Sequence, residues 1–255
     1  MKAKRRRAEI CEIIRYSPAS VGELAGLYEV SLSTIRRDLA TLSSSGEVVR
    51  TYGGALAPAP GEQGIHEREG LALAQKTAIA RAAATHIRDG QFLIFDAGTT
   101  VGALARTIIR GRRLTVATNG LTSLQVLVDS PDVELIVLGG VLRHISQGMI
   151  GPLAESALSG MTADMAFLGA DGVTAGRGVC EGTAEQASLK RLMIAKSAAV
   201  FVVADSAKLG LAPSHWWTSL PEPWTLITDD GATEEQLAPF RSHSEVTVEI
   251  ASTRK

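Results

Sequence analysis

From about residue 71 onward the chain alternates short apolar runs with stretches of helical spacing, and no other feature limits its architecture as much. The runs fall at 92–96, 114–119, 133–138, 165–169, 200–205, 224–228 and 246–250, and helical spacing occupies 71–88, 100–109, 121–128, 151–159 and 183–197. A strand that is apolar along its whole length must be covered on both faces, which a parallel sheet with helices on each side provides. The pattern predicts an α/β fold with a doubly wound, mostly parallel sheet.

In such sheets ligands collect beyond the carboxyl ends of the strands. Small and polar residues recur at those ends: Asp96-Ala97-Gly98-Thr99-Thr100, Thr118-Asn119-Gly120, Gly139-Gly140, Gly169-Ala170-Asp171-Gly172 and Asp205-Ser206-Ala207-Lys208. A glycine followed by two threonines at a helix start can offer backbone N–H groups and hydroxyls to a phosphate. Lys208, with Arg143 as a further candidate, can supply the countercharge. Asp96, Asn119 and Asp171 suit sugar hydroxyls. A glycine at any single turn of this kind is routine, but five such turns on one edge point to a small polar, phosphorylated ligand. Neither common nucleotide motif is present: there is no G-x-x-x-x-G-K-[ST] pattern, and no G-x-G-x-x-G follows a strand. On the 183–197 helix, Lys190-Arg191 has the pattern of a solvated face, although Glu185 and Lys190 can point into the site. Trp216-Trp217, followed by Pro221 and Pro223, reads as an anchored surface loop or a subunit contact.

The first 57 residues follow another pattern. Ile10, Ile13 and Ile14 mark one face of a helix over 4–16, which Ser17-Pro18-Ala19 ends. Ser20 and Glu23 then have the spacing of a capping box before a second short helix that buries Val21, Leu24 and Leu27 or Tyr28. A tight connection leads into residues 31–39, Ser-Leu-Ser-Thr-Ile-Arg-Arg-Asp-Leu. Ile35, Leu39 and Leu42 form its apolar stripe, and Ser31, Ser33, Thr34, Arg36 and Arg37 occupy the first turns and the other side. Hydroxyls and guanidinium groups at a helix start are suited to base edges and phosphates. Beyond Ser43-Ser44-Ser45-Gly46, residues 47–55 alternate like a strand, turn at Gly53-Gly54 and can return as a wing carrying Arg50 and Tyr52. Helix, short helix, turn, helix and wing is the order of a winged helix-turn-helix.

Charge agrees with that division. Residues 1–60 hold nine Lys or Arg against six Asp or Glu, a net +3, while the rest holds 17 against 21, a net −4. A basic head on an acidic body suits a head that meets a polyanion. Cys11 and Cys180 are far apart in sequence, and Cys11, among isoleucines, reads as core. The five histidines lack metal-ligand spacing, so no disulfide framework, metal or cofactor is expected. The basic start has no apolar segment after it, and the longest apolar run, 198–204, is too short to span a bilayer. The chain therefore reads as soluble and cytoplasmic, with no membrane partner.

Taken together, these residues resemble the DeoR family of bacterial transcriptional regulators over essentially the whole chain. The resemblance rests on the 31–39 segment with Leu42, Gly46, Arg50 and Gly53-Gly54-Ala55. It continues through Lys76 with Ile79-Ala80, the Asp96 to Thr100 motif, Thr118-Asn119, Gly139-Gly140 and Gly169-Ala170-Asp171-Gly172. Further on it includes Glu185, Lys190-Arg191, Asp205-Ser206 with Lys208, and Leu226-Ile227-Thr228-Asp229. It implies a DNA-binding winged helix-turn-helix at 1–57, a linker at 58–75, and at 76–255 a sensor domain folded like ribose-5-phosphate isomerase. The DNA contacts would be Ser20, Ser31, Ser33, Thr34, Arg36, Arg37, Arg50 and Tyr52. The effector contacts would be Asp96, Gly98, Thr99, Thr100, Thr118, Asn119, Gly139, Gly140, Asp171, Glu185 and Lys208. The partners would be a double-stranded operator, a phosphorylated sugar effector and further copies of the chain, as a dimer or higher oligomer. The implied role is repression of carbohydrate or nucleoside catabolism genes. Tyr52 stands where the family usually has His, and Ala207 and Leu209 replace Ser and Phe around Lys208. The rival is a sugar-phosphate isomerase using Asp171, Glu185 and Lys208 as acid or base; an isomerase has no need of the N-terminal domain.

Overall fold

The computed structural model describes residues 3–16, 19–44, 47–51, 54–56, 64–109, 111–221 and 223–254. They form two compact units, one of Met1–Arg68 with His144–Ser146 and one of Glu69–Arg143 with Gln147–Lys255.

The first unit runs α1 (Ala3–Tyr16), β1 (Ala19–Ser20), α2 (Val21–Tyr28), α3 (Leu32–Ser44), β2 (Val49–Thr51) and β3 (Gly54–Leu56), with the antiparallel order β1-β3-β2. Its core joins Ile10 and Ile14 of α1 to Leu24 of α2 and to Ile35, Leu39 and Leu42 of α3, the expected stripe. The capping box forms: Ser20 Oγ accepts from the Glu23 N–H, and Glu23 Oε2 accepts from the Ser20 N–H. The Ser20 N–H first, and its hydroxyl second, hold the Glu23 carboxyl below its ordinary range. Glu29, in the left-handed region at φ 51°, turns the chain from α2 into α3, and the Val30 N–H donates to the Ala25 carbonyl. Of the two alternatives Leu27 is exposed, and Tyr28 packs partly buried against the core beside Leu24 and Ala25. The α1–α3 contact is also ionic. Buried Arg6 donates to buried Asp38 at 2.6 Å, and Arg7 lies 3.6 Å from the same carboxylate. In the sequence these three residues look like ordinary surface charge.

Between 58 and 75, residues 58–63 lie outside the described residues. The remainder forms α4 (Ile65–Gly70) and the start of α5 (Leu73–Thr85).

The second unit continues through β4 (Phe92–Phe95), α6 (Thr99–Ile108), β5 (Leu114–Thr118), α7 (Leu121–Leu127), β6 (Val133–Val137), β7 (Val141–Arg143), β8 (Gly148–Ile150), α8 (Pro152–Ser159) and β9 (Ala163–Leu168). It ends with β10 (Gly172–Thr174), β11 (Gly178–Glu181), α9 (Ala184–Ala195), β12 (Ser197–Val203), β13 (Trp216–Thr218), β14 (Trp224–Asp229), α10 (Glu234–Arg241) and β15 (Val246–Ala251). All seven expected strands form one parallel sheet, ordered β15-β14-β12-β9-β4-β5-β6. Two apolar layers cover it: Ile94 belongs to one, and its neighbours Leu93 and Phe95 belong to the other. This is why the runs read as apolar throughout. Two smaller antiparallel sheets, β7-β8 and β10-β11-β13, are additions that the apolar spacing does not predict. Trp216 and Trp217 belong to β13, paired with Glu181 and Cys180, and Arg177 lies over the Trp217 ring at 5.5 Å; they are strand residues rather than a loop. Among the described residues no helix is long and apolar enough to cross a membrane.

Candidate nucleic-acid interface and ligand site

The stripe that buries Ile35, Leu39 and Leu42 leaves Leu32, Ser33, Arg36, Arg37 and Ala40 exposed on α3. Ser31 begins the helix: its Oγ accepts from the Thr34 N–H at 3.2 Å and lies 2.8 Å and 2.9 Å from the hydroxyls of Ser33 and Thr34. These hydroxyls therefore start the helix as well as facing outward. Neither the Arg36 nor the Arg37 guanidinium is engaged by another group among the described residues. Ser20 uses its oxygen to cap α2. Arg50 lies in β2 opposite Ala55, and Tyr52 lies outside the described residues. Leu32, 47% exposed in the first turn, belongs to the same face and carries no mark in the sequence beyond being apolar.

In the second unit, α6 starts directly beyond the end of β4. Gly98 precedes it at φ 153°, a conformation that side chains other than hydrogen rarely adopt. No side chain caps α6, so its first N–H groups are open to an anion, beside Thr99 and buried Thr100. Thr122 fixes the turn by donating to the Gly98 carbonyl at 3.0 Å. Thr118 is spent on architecture: its hydroxyl donates to the Phe95 carbonyl and accepts from the Gly120 N–H. Asn119 Nδ2 donates to the Met149 carbonyl, but its Oδ1 is buried without a partner among the described residues. Gly140 at φ 107° has a packing reason, because a Cβ there would meet the Ile150 carbonyl oxygen at 2.5 Å. Lys208 donates to the Ala170 carbonyl at 2.6 Å, tying it to the loop that carries Asp171. Glu185 lies in the first turn of α9. Arg143 is buried in β7.

The residue that joins these strand ends is Lys190, which corrects the solvated-face reading in favour of the inward-pointing alternative. Lys190 is 2% exposed; its ammonium pairs with Asp96 at 2.8 Å and with Glu181, and donates to the Gly169 carbonyl. An ammonium has three donors, and all are used. Asp96 also accepts from the Ala97 and Gly169 N–H groups. Its neighbouring carboxylates hold the Lys190 ammonium well above the ordinary lysine range despite burial. Glu181 has no signal in the sequence, since it belongs to a strand that the apolar spacing does not mark. Arg191, next to Lys190, is exposed as expected.

Burial, reinforced by Asp171 and Asp96 against the opposing pull of Lys190, raises the Glu181 carboxyl from 4.5 to about 8. Between those values the folded chain keeps a proton that the unfolded chain has released. Stability therefore falls as pH rises through that window and levels off above it. Glu181→Gln is expected to remove this component. Thermal melts across the same window check it: an unchanged pH profile in the variant would contradict the assignment.

Comparisons with known proteins match both parts of the chain. A DeoR-like helix-turn-helix domain model matches residues 6–60, and a DeoR C terminal sensor domain model matches residues 72–230. The uncharacterized HTH-type transcriptional regulator YulB of Bacillus subtilis (strain 168) is 35% identical over 234 residues, covering 91% of this chain and 90% of that protein. The HTH-type transcriptional regulator GlpR of Haloferax volcanii is 34% identical, covering 88% and 89%. The glycerol-3-phosphate regulon repressor of Escherichia coli (strain K12) is 32% identical, covering 82% and 84%. A ribose 5-phosphate isomerase A from Methanocaldococcus jannaschii covers 52% of each chain at 15% identity with a TM-score of 0.39. The sheet order itself carries the fold class.

Proposed function

The chain belongs to the DeoR family and is a DNA-binding transcriptional regulator rather than an enzyme, and from that premise we propose that it represses genes of carbohydrate or nucleoside catabolism under the control of a phosphorylated sugar. In this reading α3 enters the major groove with Ser33, Thr34, Arg36 and Arg37 toward bases and nearby phosphates, and the β2–β3 wing carries Arg50 to the backbone. A homo-oligomer sets two heads on repeated half-sites. A repressor works where the DNA is, so the protein is cytoplasmic.

The observation that supports the effector half is the uncapped start of α6 at the carboxyl end of β4. A phosphoryl group fits there against Thr99 and Thr100, with Lys208 as countercharge and Asn119 and Asp171 toward the hydroxyls. The first 57 residues read DNA, residues near 58–75 link, and residues 76–255 sense. Control follows if the effector binds DNA-competent and incompetent arrangements with different affinity.

The test is a thermal-shift series with glycerol 3-phosphate, ribose 5-phosphate and fructose phosphates, followed by DNA binding in the presence of each. An effector at about 100 times its dissociation constant stabilises by roughly 2.7 kcal/mol, and Thr99→Val is expected to abolish most of that shift. A series with no shift, or a shift that leaves DNA affinity unchanged, would overturn the effector assignment.

A further inference from the structure

A cavity of about 710 Å³ lies between α5 and α6 on the second unit. Thr77 and Arg81 line it from α5, and Thr99, Arg106 and Thr107 line it from α6, with Lys76 beside them. Thr77 and Arg81 are four residues apart, as are Thr99 and Ala103, so each helix turns one row of side chains to the groove. Ala103, small, keeps its middle open. The groove therefore continues from the uncapped start of α6 instead of ending there.

Its charge is unbalanced. Lys76, Arg81 and Arg106 face one carboxylate, Glu69. Lys76 is buried and donates to the Leu71 carbonyl at 2.7 Å, whereas Arg81 and Arg106 engage no other group among the described residues. Two guanidinium groups from different helices on one cavity are an arrangement for an anion. Arg106 follows Thr99 by seven residues, roughly 10 Å along the axis. Helical side chains lean toward the N-terminus, so the Arg106 side chain leans back toward Thr99, and the remaining gap suits a second phosphoryl group.

We infer that Arg81 and Arg106 form a second phosphoryl subsite, so that the effector is a sugar carrying a diphosphate chain, its first phosphoryl group at Thr99 and its second in the groove. This rests on the reading that the α6 start binds a phosphoryl group.

Inorganic phosphate, pyrophosphate and tripolyphosphate, titrated calorimetrically into the full chain, test the subsite whatever the sugar is. Pyrophosphate is expected to bind at least about tenfold more tightly than phosphate, the worth of a charge-assisted hydrogen bond. The double variant Arg81→Gln with Arg106→Gln should lose that gain while binding phosphate as before. Equal affinity for phosphate and pyrophosphate, or a gain retained in the double variant, overturns the second subsite and leaves the first intact. Absence of binding by all three probes, with no thermal shift from any sugar phosphate, overturns the effector reading itself. Thr99→Val should weaken all three probes, which separates the α6 start from general attraction to surface charge.

Discussion

Arg37→Ala is expected to weaken binding to a duplex selected by the protein from a random-sequence pool by about 10- to 100-fold, the worth of one guanidinium contact of roughly 1–3 kcal/mol. The size follows from where the side chain stands. Arg37 is exposed on α3, while Ile35, Leu39 and Asp38 on either side hold the helix to the rest of the unit. Removing its guanidinium takes away no ion pair among the described residues, so the variant should melt within about 0.5 kcal/mol of the parent, as surface substitutions do. The salt series adds a second readout. If Arg37 meets a phosphate, the slope of log affinity against log salt drops by about one and every sequence weakens alike. If it meets a base, the slope holds and discrimination at one position per half-site relaxes. Unchanged affinity across the salt series would remove α3 from the DNA interface.

That contrast also marks what a sequence can express. The recognition helix is legible because its information is local: a cap, a stripe of period 3.6 and two adjacent arginines all fall within a few turns. The parallel sheet is legible for the same reason, since burial on both faces writes itself into each run. Asp38 is not legible as a partner of Arg6, because the pair spans 32 positions and each residue alone looks like surface charge. Lys190 misleads for that reason too; a lysine next to an arginine on a helix has no local mark of burial. Glu181 depends on β11, a strand whose Gly178-Val179-Cys180 start gives no alternating pattern to find. Gly140 and Thr118 are legible as features of the strand ends, but their roles in packing and turn formation depend on Ile150 and Phe95, which lie elsewhere in the chain.

Lys190→Met should cost about 3–5 kcal/mol, because it strands the buried Asp96 carboxylate, joined by Glu181 once that group ionises, without the ammonium. Asp96 and Glu181 are both nearly inaccessible. For a domain of this size each kcal/mol shifts the melting temperature by roughly 2–4 °C, so a fall of about 6–20 °C is expected. The cost should depend on pH in a stated direction. Glu181 already titrates at about 8 with Lys190 present; without the ammonium its carboxyl rises further and stays protonated, which spares part of the penalty near neutrality. Above that range the carboxyl ionises beside Asp96 without the ammonium between them, so the gap between variant and parent should widen as pH rises. Replacing the partners as well, with Asp96→Asn and Glu181→Gln in the Lys190→Met background, removes the buried charges and is expected to restore much of the lost stability, since an uncharged cluster leaves no unpaired ion. A triple variant no more stable than Lys190→Met at every pH would show that Lys190 acts through its packing and not through its charge. A Lys190→Met variant that melts with the parent would mean that the strand ends of β4, β9 and β11 do not depend on the ammonium at all.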